Sequence, residues 1–256
     1  MNIDKRRVAQ RFAKASQSYT QHAIVQKQIC QQLIQLMRQY LPATDFERVF
    51  EIGCGSGNLT QLILQELSVQ QLILNDLYPQ VQQHFTENNA LHWHIGDIEQ
   101  LDFPQNLALI ASSSALQWMS DIDAIFKQCA AALNQNGYFC FSSFGQKNLQ
   151  EIKALTGQGL KYLEPECIAQ KLESHGFEII HFSEQLELLD FSHPKQILQH
   201  LKATGVTATA SHHRWTKQSL QQFYFDYQQF SNVDQQGQIS YRLTYHPIYC
   251  IARRTP

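Results

Sequence analysis

The sequence predicts an α/β fold: an open, doubly wound sheet that binds a nucleotide-like ligand beyond the carboxyl ends of its strands. Three observations predict it. The β-prone run Val49-Phe50-Glu51-Ile52 passes through Gly53-Cys54-Gly55-Ser56-Gly57 into a helical pattern at Leu59, Leu62, Ile63, Glu66 and Leu67, which reads as strand, tight loop, helix. Short apolar runs then alternate with helical ones along the chain. The next such run, Gln71-Leu72-Ile73-Leu74-Asn75-Asp76, ends in an acid about twenty residues beyond the last glycine, where a second strand places a carboxylate against a ribose diol. The alternative for Asn75-Asp76 is a turn at a strand end. Glycines at the end of a first strand let the backbone approach a ligand. Their spacing excludes two familiar loops, because a dinucleotide fingerprint needs glycine where Asn58 stands and a phosphate loop needs Gly-Lys-Ser/Thr.

With 256 residues, 43% of them hydrophobic, the chain is long enough for one large domain with a buried core. Only 16% of residues are charged and the net charge is -2, so there is no basic field for a nucleic-acid backbone, and RNA and DNA are discounted as substrates. Cys30, Cys54, Cys129, Cys140, Cys167 and Cys250 form no Cys-x-x-Cys pair and fall mostly in apolar runs, which predicts reduced thiols, no metal site and a cytoplasmic setting. The basic start Met1 to Arg7 is followed by no apolar signal region, and no run approaches a membrane span, so neither export nor anchoring is expected.

Taken in order, residues 1–44 form a helical leader. Val8, Phe12, Ala15 and Tyr19 make one helical stripe, and Val25, Ile29, Leu33, Leu36, Met37 and Tyr40 make a second that stops at Pro42. Such a leader either packs over the ligand crevice, giving Arg11, Tyr19 and Gln26 a role there, or covers a sheet face. After the second strand, Leu91 to Ile95 alternates as a third and presents Gly96-Asp97-Ile98; His92 and His94 have no third metal ligand nearby, and strand alternation accounts for them. The apolar run Leu107 to Ala111 is a fourth strand entering Ser112 to Trp118, a loop expected to border the reaction site. It is not a nucleophile elbow, since Gly-x-Ser-x-Gly is missing. A helix over Ile122 to Leu133 and a turn at Asn134-Gln135-Asn136-Gly137 lead to a fifth strand, Tyr138 to Phe144; a helix from Pro165 to Gly176 leads to a sixth, Phe177 to Phe182. Residues 190–238, with helix signals at Pro194 to Thr204 and Thr216 to Phe230, form an insertion before the last strand, Tyr241 to Ala252, and read as a lid.

Glu51-x-Gly53-x-Gly55-x-Gly57 resembles the first motif of class I S-adenosylmethionine (SAM) methyltransferases. That resemblance implies a Rossmann-like seven-stranded sheet in a single domain over 1–256, with the leader and the helical lid as additions. It implies SAM as cofactor, with Asp97 at the adenine amine, Ile98 on the ring face and Asp76 on the ribose. The implied cofactor set is Arg11, Tyr19, Glu51, Gly53, Cys54, Gly55, Gly57, Asp76, Leu77, Asp97, Ile98 and Ser113.

The whole chain, in turn, resembles the malonyl-[acyl-carrier protein] O-methyltransferases of biotin synthesis, the BioC family. The similar pieces are Val8-Ala9-Gln10-Arg11-Phe12 through Tyr19 and Gln26, Ser113-Ser114-Ala115-Leu116-Gln117-Trp118, Leu201-Lys202-Ala203-Thr204-Gly205-Val206-Thr207, and Leu243-Thr244-Tyr245-His246 through Arg253. Two departures are Lys202-Ala-Thr-Gly-Val, where the family more often has Lys-Gly-x-Gly-Ala, and Asn106, where many methyltransferases have an acid. The resemblance implies methyl esterification of the free carboxylate of malonyl-acyl-carrier protein, or of malonyl-coenzyme A, by a monomer. A malonyl carboxylate is ionised at neutral pH and is already the nucleophile, so no catalytic base is needed. A cation should hold it, with Lys202 and Arg242 the candidates and Lys147 third. Tyr245 and His246 either donate hydrogen bonds to the acceptor or pack in the sheet. Lys195, Lys202, Arg214 and Lys217 offer a modest basic face to an acidic carrier. Two other readings stay open, a SAM enzyme for another small carboxylate or a ring, and a SAM-binding partner subunit without catalysis.

Overall fold

The computed structural model describes residues 23–86, 88–204 and 215–256. The first helical stripe, with Arg11 and Tyr19, lies outside them, as do residues 205–214 of the insertion, Arg214 included.

Helix α1 (Ile24–Tyr40) buries Val25, Ile29, Leu33, Leu36 and Met37 on one stripe and ends at Leu41, before Pro42. Strands β1 (Asp45–Ile52), β2 (Ser68–Asp76), β3 (Leu91–Ile95), β4 (Leu107–Ser113) and β5 (Leu133–Phe144) alternate with helices α2 (Asn58–Glu66) after β1 and α3 (Ile122–Ala132) after β4. Helices α4 (Gln150–Thr156) and α5 (Pro165–Ser174) precede β6 (Phe177–Glu184). After the insertion, β10 (Pro247–Arg254) completes a seven-stranded sheet of order β3-β2-β1-β4-β5-β10-β6. Neighbours from β3 through β5 pair parallel, and β10 runs antiparallel between β5 and β6. Apolar clusters cover both faces, which is why the central strands read as continuous apolar runs. From β1 the chain winds outward to β2 and β3, then returns to the other side of β1 as β4. The β1 and β4 loops therefore diverge and leave a crevice at the carboxyl ends.

Three expectations need correction. The turn expected at Asn134 to Gly137 is absorbed into β5, which starts at Leu133 opposite Leu107; the register shifts before Leu109, and Asn136 takes φ 61°, a conformation asparagine tolerates. The last strand is two strands. β9 (Ile239–Tyr245) joins β7 (Glu187–Phe191) and β8 (Ser231–Val233) in a separate sheet of order β7-β9-β8, and the chain then bends at His246 into β10. Pro247 has no N–H for a ladder, and at the bend the His246 carbonyl accepts from Gly145 N while its N–H donates to Asn148 Oδ1. The insertion is consequently mixed rather than wholly helical. Its helices are α6 (Pro194–Ala203) and α7 (Lys217–Asp226), the latter opened by a Thr216–Ser219 capping box; a 3₁₀ turn takes over at Tyr227–Phe230. No helix among the described residues is long and apolar enough to cross a membrane.

Candidate active site

The floor of the crevice is the β1–α2 loop. Gly53 has φ 74°, and a Cβ there would lie 2.4 Å from the Ala115 Cβ, so only glycine lets this loop pack on the one after β4. Gly53 N and Cys54 N both donate to Asn75 O, at 2.9 Å each, and Gly55 N donates to Asp76 Oδ2 at 2.8 Å. The loop is thereby pinned to the end of β2. Asn75 Nδ2 in turn donates to the carbonyls of His94 and Gly96, which fixes the end of β3 and brings Asp97 and Ile98 to the same opening.

Two carboxyls are sunk in this floor. Burial pushes the Glu51 carboxyl up to about 7, against the Thr60 hydroxyl that donates to it at 2.6 Å, and the neighbouring Asp76 raises it further. Asp76 is pushed up to about 6, again by burial, with the amides of Gly55, Leu77 and Tyr78 opposing the rise. Neither is paired with a Lys or Arg among the described residues. On the opposite wall, Ser113 Oγ shares a 2.9 Å hydrogen bond with Ser142 Oγ and accepts from Cys30 Sγ of α1 at 3.3 Å.

A family model described as a methyltransferase domain matches residues 49–137, the stretch from β1 into β5. Beyond it, the whole chain is similar to the malonyl-[acyl-carrier protein] O-methyltransferase of Acinetobacter baylyi, 49% identical over 257 residues and covering 100% of this chain and 99% of that one. The chain belongs to the malonyl-[acyl-carrier protein] O-methyltransferase family. The Haemophilus influenzae protein of the same name is 36% identical over 255 residues, covering 98% of this chain and 95% of that one. In fold, this family member is similar to the solved N-methyltransferase NodS of Bradyrhizobium japonicum in complex with S-adenosyl-L-homocysteine (SAH), with TM-score 0.54, 12% identity, and 88% and 87% of the two chains covered. It is a SAM-dependent methyltransferase of the class I fold.

The crevice fits that cofactor. Two buried carboxyls without a Lys or Arg partner among the described residues suit a cationic ligand that carries a diol, and buried Ile98 offers a flat ring an apolar side. Of the residues named from sequence, Glu51, Gly53, Cys54, Gly55, Asp76, Leu77, Asp97, Ile98 and Ser113 all line the crevice. Gly57 does not line it. It stands at φ 82° as the cap of α2, with the Phe85 ring 2.9 Å from where its Cβ would be.

The four acceptor-side candidates are also outside the lining. Lys202 is exposed on α6, and Arg242 of β9 has its Nε buried without a hydrogen-bond partner. Tyr245 is buried, its hydroxyl 2.8 Å from His200 Nε2. His246 serves the strand bend: its Nδ1 accepts from Lys147 N at 3.2 Å, so Nε2 carries the proton that faces Glu184 Oε2 at 3.0 Å. The Lys147 side chain is exposed. Sequence reasoning missed Cys30, Tyr78 and Met119 in the lining. Cys30 had one available signal, since it lies one helical turn beyond Gln26 and so shares its face of α1.

Proposed function

We propose that this chain esterifies the free carboxylate of a malonyl group carried as a thioester on acyl-carrier protein, an early step of biotin synthesis. The observation that carries the reading is the likeness to the Acinetobacter baylyi enzyme of that name over essentially the full length of both chains, insertion included, rather than over the methyltransferase domain alone.

SAM supplies an electrophilic methyl group on a sulfonium. The protein's own contributions are binding, alignment and exclusion of water. In this reading Asp76 accepts from the ribose hydroxyls with the oxygen left over from Gly55 N, Asp97 accepts from the adenine amine, Ile98 covers the ring and the amides of the glycine loop hold the remainder. The malonyl carboxylate arrives ionised, so no residue is assigned to remove a proton. Residues 190–238 act as the lid, and Trp118 and Met119, on the crevice wall, keep water from the transferring methyl. We assign the malonyl-holding cation to Arg242 or Lys202. Arg242 is favoured by its buried, unpartnered Nε. Exposed Lys195, Lys202 and Lys217 suit the acidic surface of a carrier. The chain works as a monomer, and its six free cysteines suit a reducing cytoplasm.

The test is complementation. In a biotin auxotroph lacking its own malonyl-carrier methyltransferase, this chain should restore growth without biotin and its Asp76→Ala variant should not. A wild-type chain that is expressed and binds SAM but fails to restore growth would point to another carboxylate or ring acceptor.

A further inference from the structure

Gln26 on α1 is 5% exposed and lines the crevice, yet its Oε1 has no hydrogen-bond partner. Buried amide oxygens are seldom left in this state, because their desolvation goes uncompensated. The amide is nevertheless held from behind. The Gln26 side chain faces the Tyr245 hydroxyl, which lies 2.8 Å from His200 Nε2. Tyr245 and His200 are themselves buried, and neither lines the crevice. One turn along α1, Cys30 joins the same wall, and Glu51 lies on the crevice floor close by. Among the described residues, this end of the crevice therefore presents an amide oxygen and a carboxyl, and its described lining holds no Lys or Arg. A buried acceptor beside a carboxyl suits a ligand end that is positively charged and donates.

We propose that Gln26 Oε1 receives the cationic amino-acid end of SAM, and that Tyr245 and His200 are positioning residues that aim it, joining insertion helix α6 to the cofactor crevice. The inference rests on the assignment of this crevice to SAM. Of the two positive centres of SAM, only the ammonium also donates N–H; the methyl-bearing sulfonium carries charge alone. SAH keeps the first and lacks the second.

Isothermal titration of the full chain with SAM and with SAH tests it. Wild type should bind both; binding of neither would overturn the crevice assignment itself, a result separate from any effect of Gln26. Gln26→Met, which keeps length and burial but removes the acceptor, should weaken SAM about tenfold, the loss expected for a hydrogen bond to a charged group. Gln26→Glu keeps an acceptor and should stay within about threefold of wild type. An equal loss for SAH supports the contact to the ammonium, and unchanged SAH binding would overturn it in favour of the sulfonium. If Gln26→Met melts like wild type and binds SAM equally well, the proposal is wrong. Tyr245→Phe should weaken SAM binding about threefold alone and have no further effect in the Gln26→Met background; additive losses would remove Tyr245 from the aiming role.

Discussion

The crevice floor and the insertion are held in place by different means. The floor is backbone: three loop amides bond to Asn75 O and Asp76 Oδ2, and the loop's closest approach, Gly53 to Ala115, leaves no room for one carbon. The insertion and β9 are joined by backbone ladders to each other and to β7, with Leu149 N donating to Thr244 O, and side chains add the contacts that reach toward the crevice and the main sheet. Tyr245 meets His200, the Thr244 N–H and hydroxyl both donate to buried Glu151, and Tyr227 donates to the Arg242 carbonyl at 2.8 Å. A backbone-fixed floor presents constant geometry to a cofactor that never varies. Contacts made through side chains can be retuned by single substitutions, which suits the half of the site that must recognise the acceptor. Substitutions in the floor should therefore act on cofactor binding and stability, and those in the insertion on the acceptor, with the His200–Tyr245 contact behind Gln26 as the one exception.

Gly53→Ala is the most severe test of the floor. Its Cβ would overlap Ala115 and the residue would be held at φ 74°, so a combined cost of roughly 2–5 kcal/mol is expected in denaturant unfolding, with SAM binding impaired alongside. Unchanged stability would mean the loop is free to move, and the contrast would fail. Asp76→Ala should weaken SAM binding by ~1.5–3 kcal/mol in titration calorimetry, the loss of a charged hydrogen-bonded pair. An unaltered dissociation constant would remove the ribose assignment.

Glu51 sharpens the same contrast through pH. Its folded carboxyl is raised to about 7 from an ordinary 4.5, so between those values the folded chain holds a proton that the unfolded chain has released. Stability of the ligand-free protein should accordingly fall as pH rises from 4.5 to 7, by about 1–3 kcal/mol, and level off above. Glu51→Gln should flatten that slope in unfolding curves taken across the range. Asp76, raised to about 6, leaves its own slope below that pH; a slope that persists between pH 6 and 7 in the variant assigns the titration elsewhere. The smallest effect is expected in the insertion: Lys202→Ala should raise KM for the malonyl carrier severalfold and leave SAM affinity unchanged. Weakened SAM binding there would show that the cover is coupled to the floor more tightly than the contacts indicate.

What could be read from the sequence divides along the same line. The glycine loop and Asp76 were legible because each is set by local spacing from a strand end, Asp97 with Ile98 came through the methyltransferase resemblance, and the doubly wound order brings those strand ends together. The insertion was legible only as far as its helices, where Pro194 and Thr216 mark starts. β7 is five residues long, Glu187–Phe191, and its partner β9 lies some fifty residues away, a pairing that no local pattern announces. His246 read as a donor to the acceptor because its neighbours suggested a single strand; the bend before Pro247 turns its imidazole toward Lys147 N and Glu184 instead. Arg242, likewise, is placed by the pairing of β9 with β7 opposite Asp190, not by any motif.

The central claim is that the methyl group ends on the malonyl carboxylate of a carrier-bound thioester. Intact-mass spectrometry of malonyl-acyl-carrier protein incubated with this chain and methyl-labelled SAM tests it most directly. The account predicts one labelled methyl per malonyl group, released together with malonate on ester and thioester hydrolysis, and no label on carrier protein that lacks the malonyl group. Label on the bare carrier, or an unlabelled malonyl carrier in the presence of an enzyme shown to bind SAM, would contradict it.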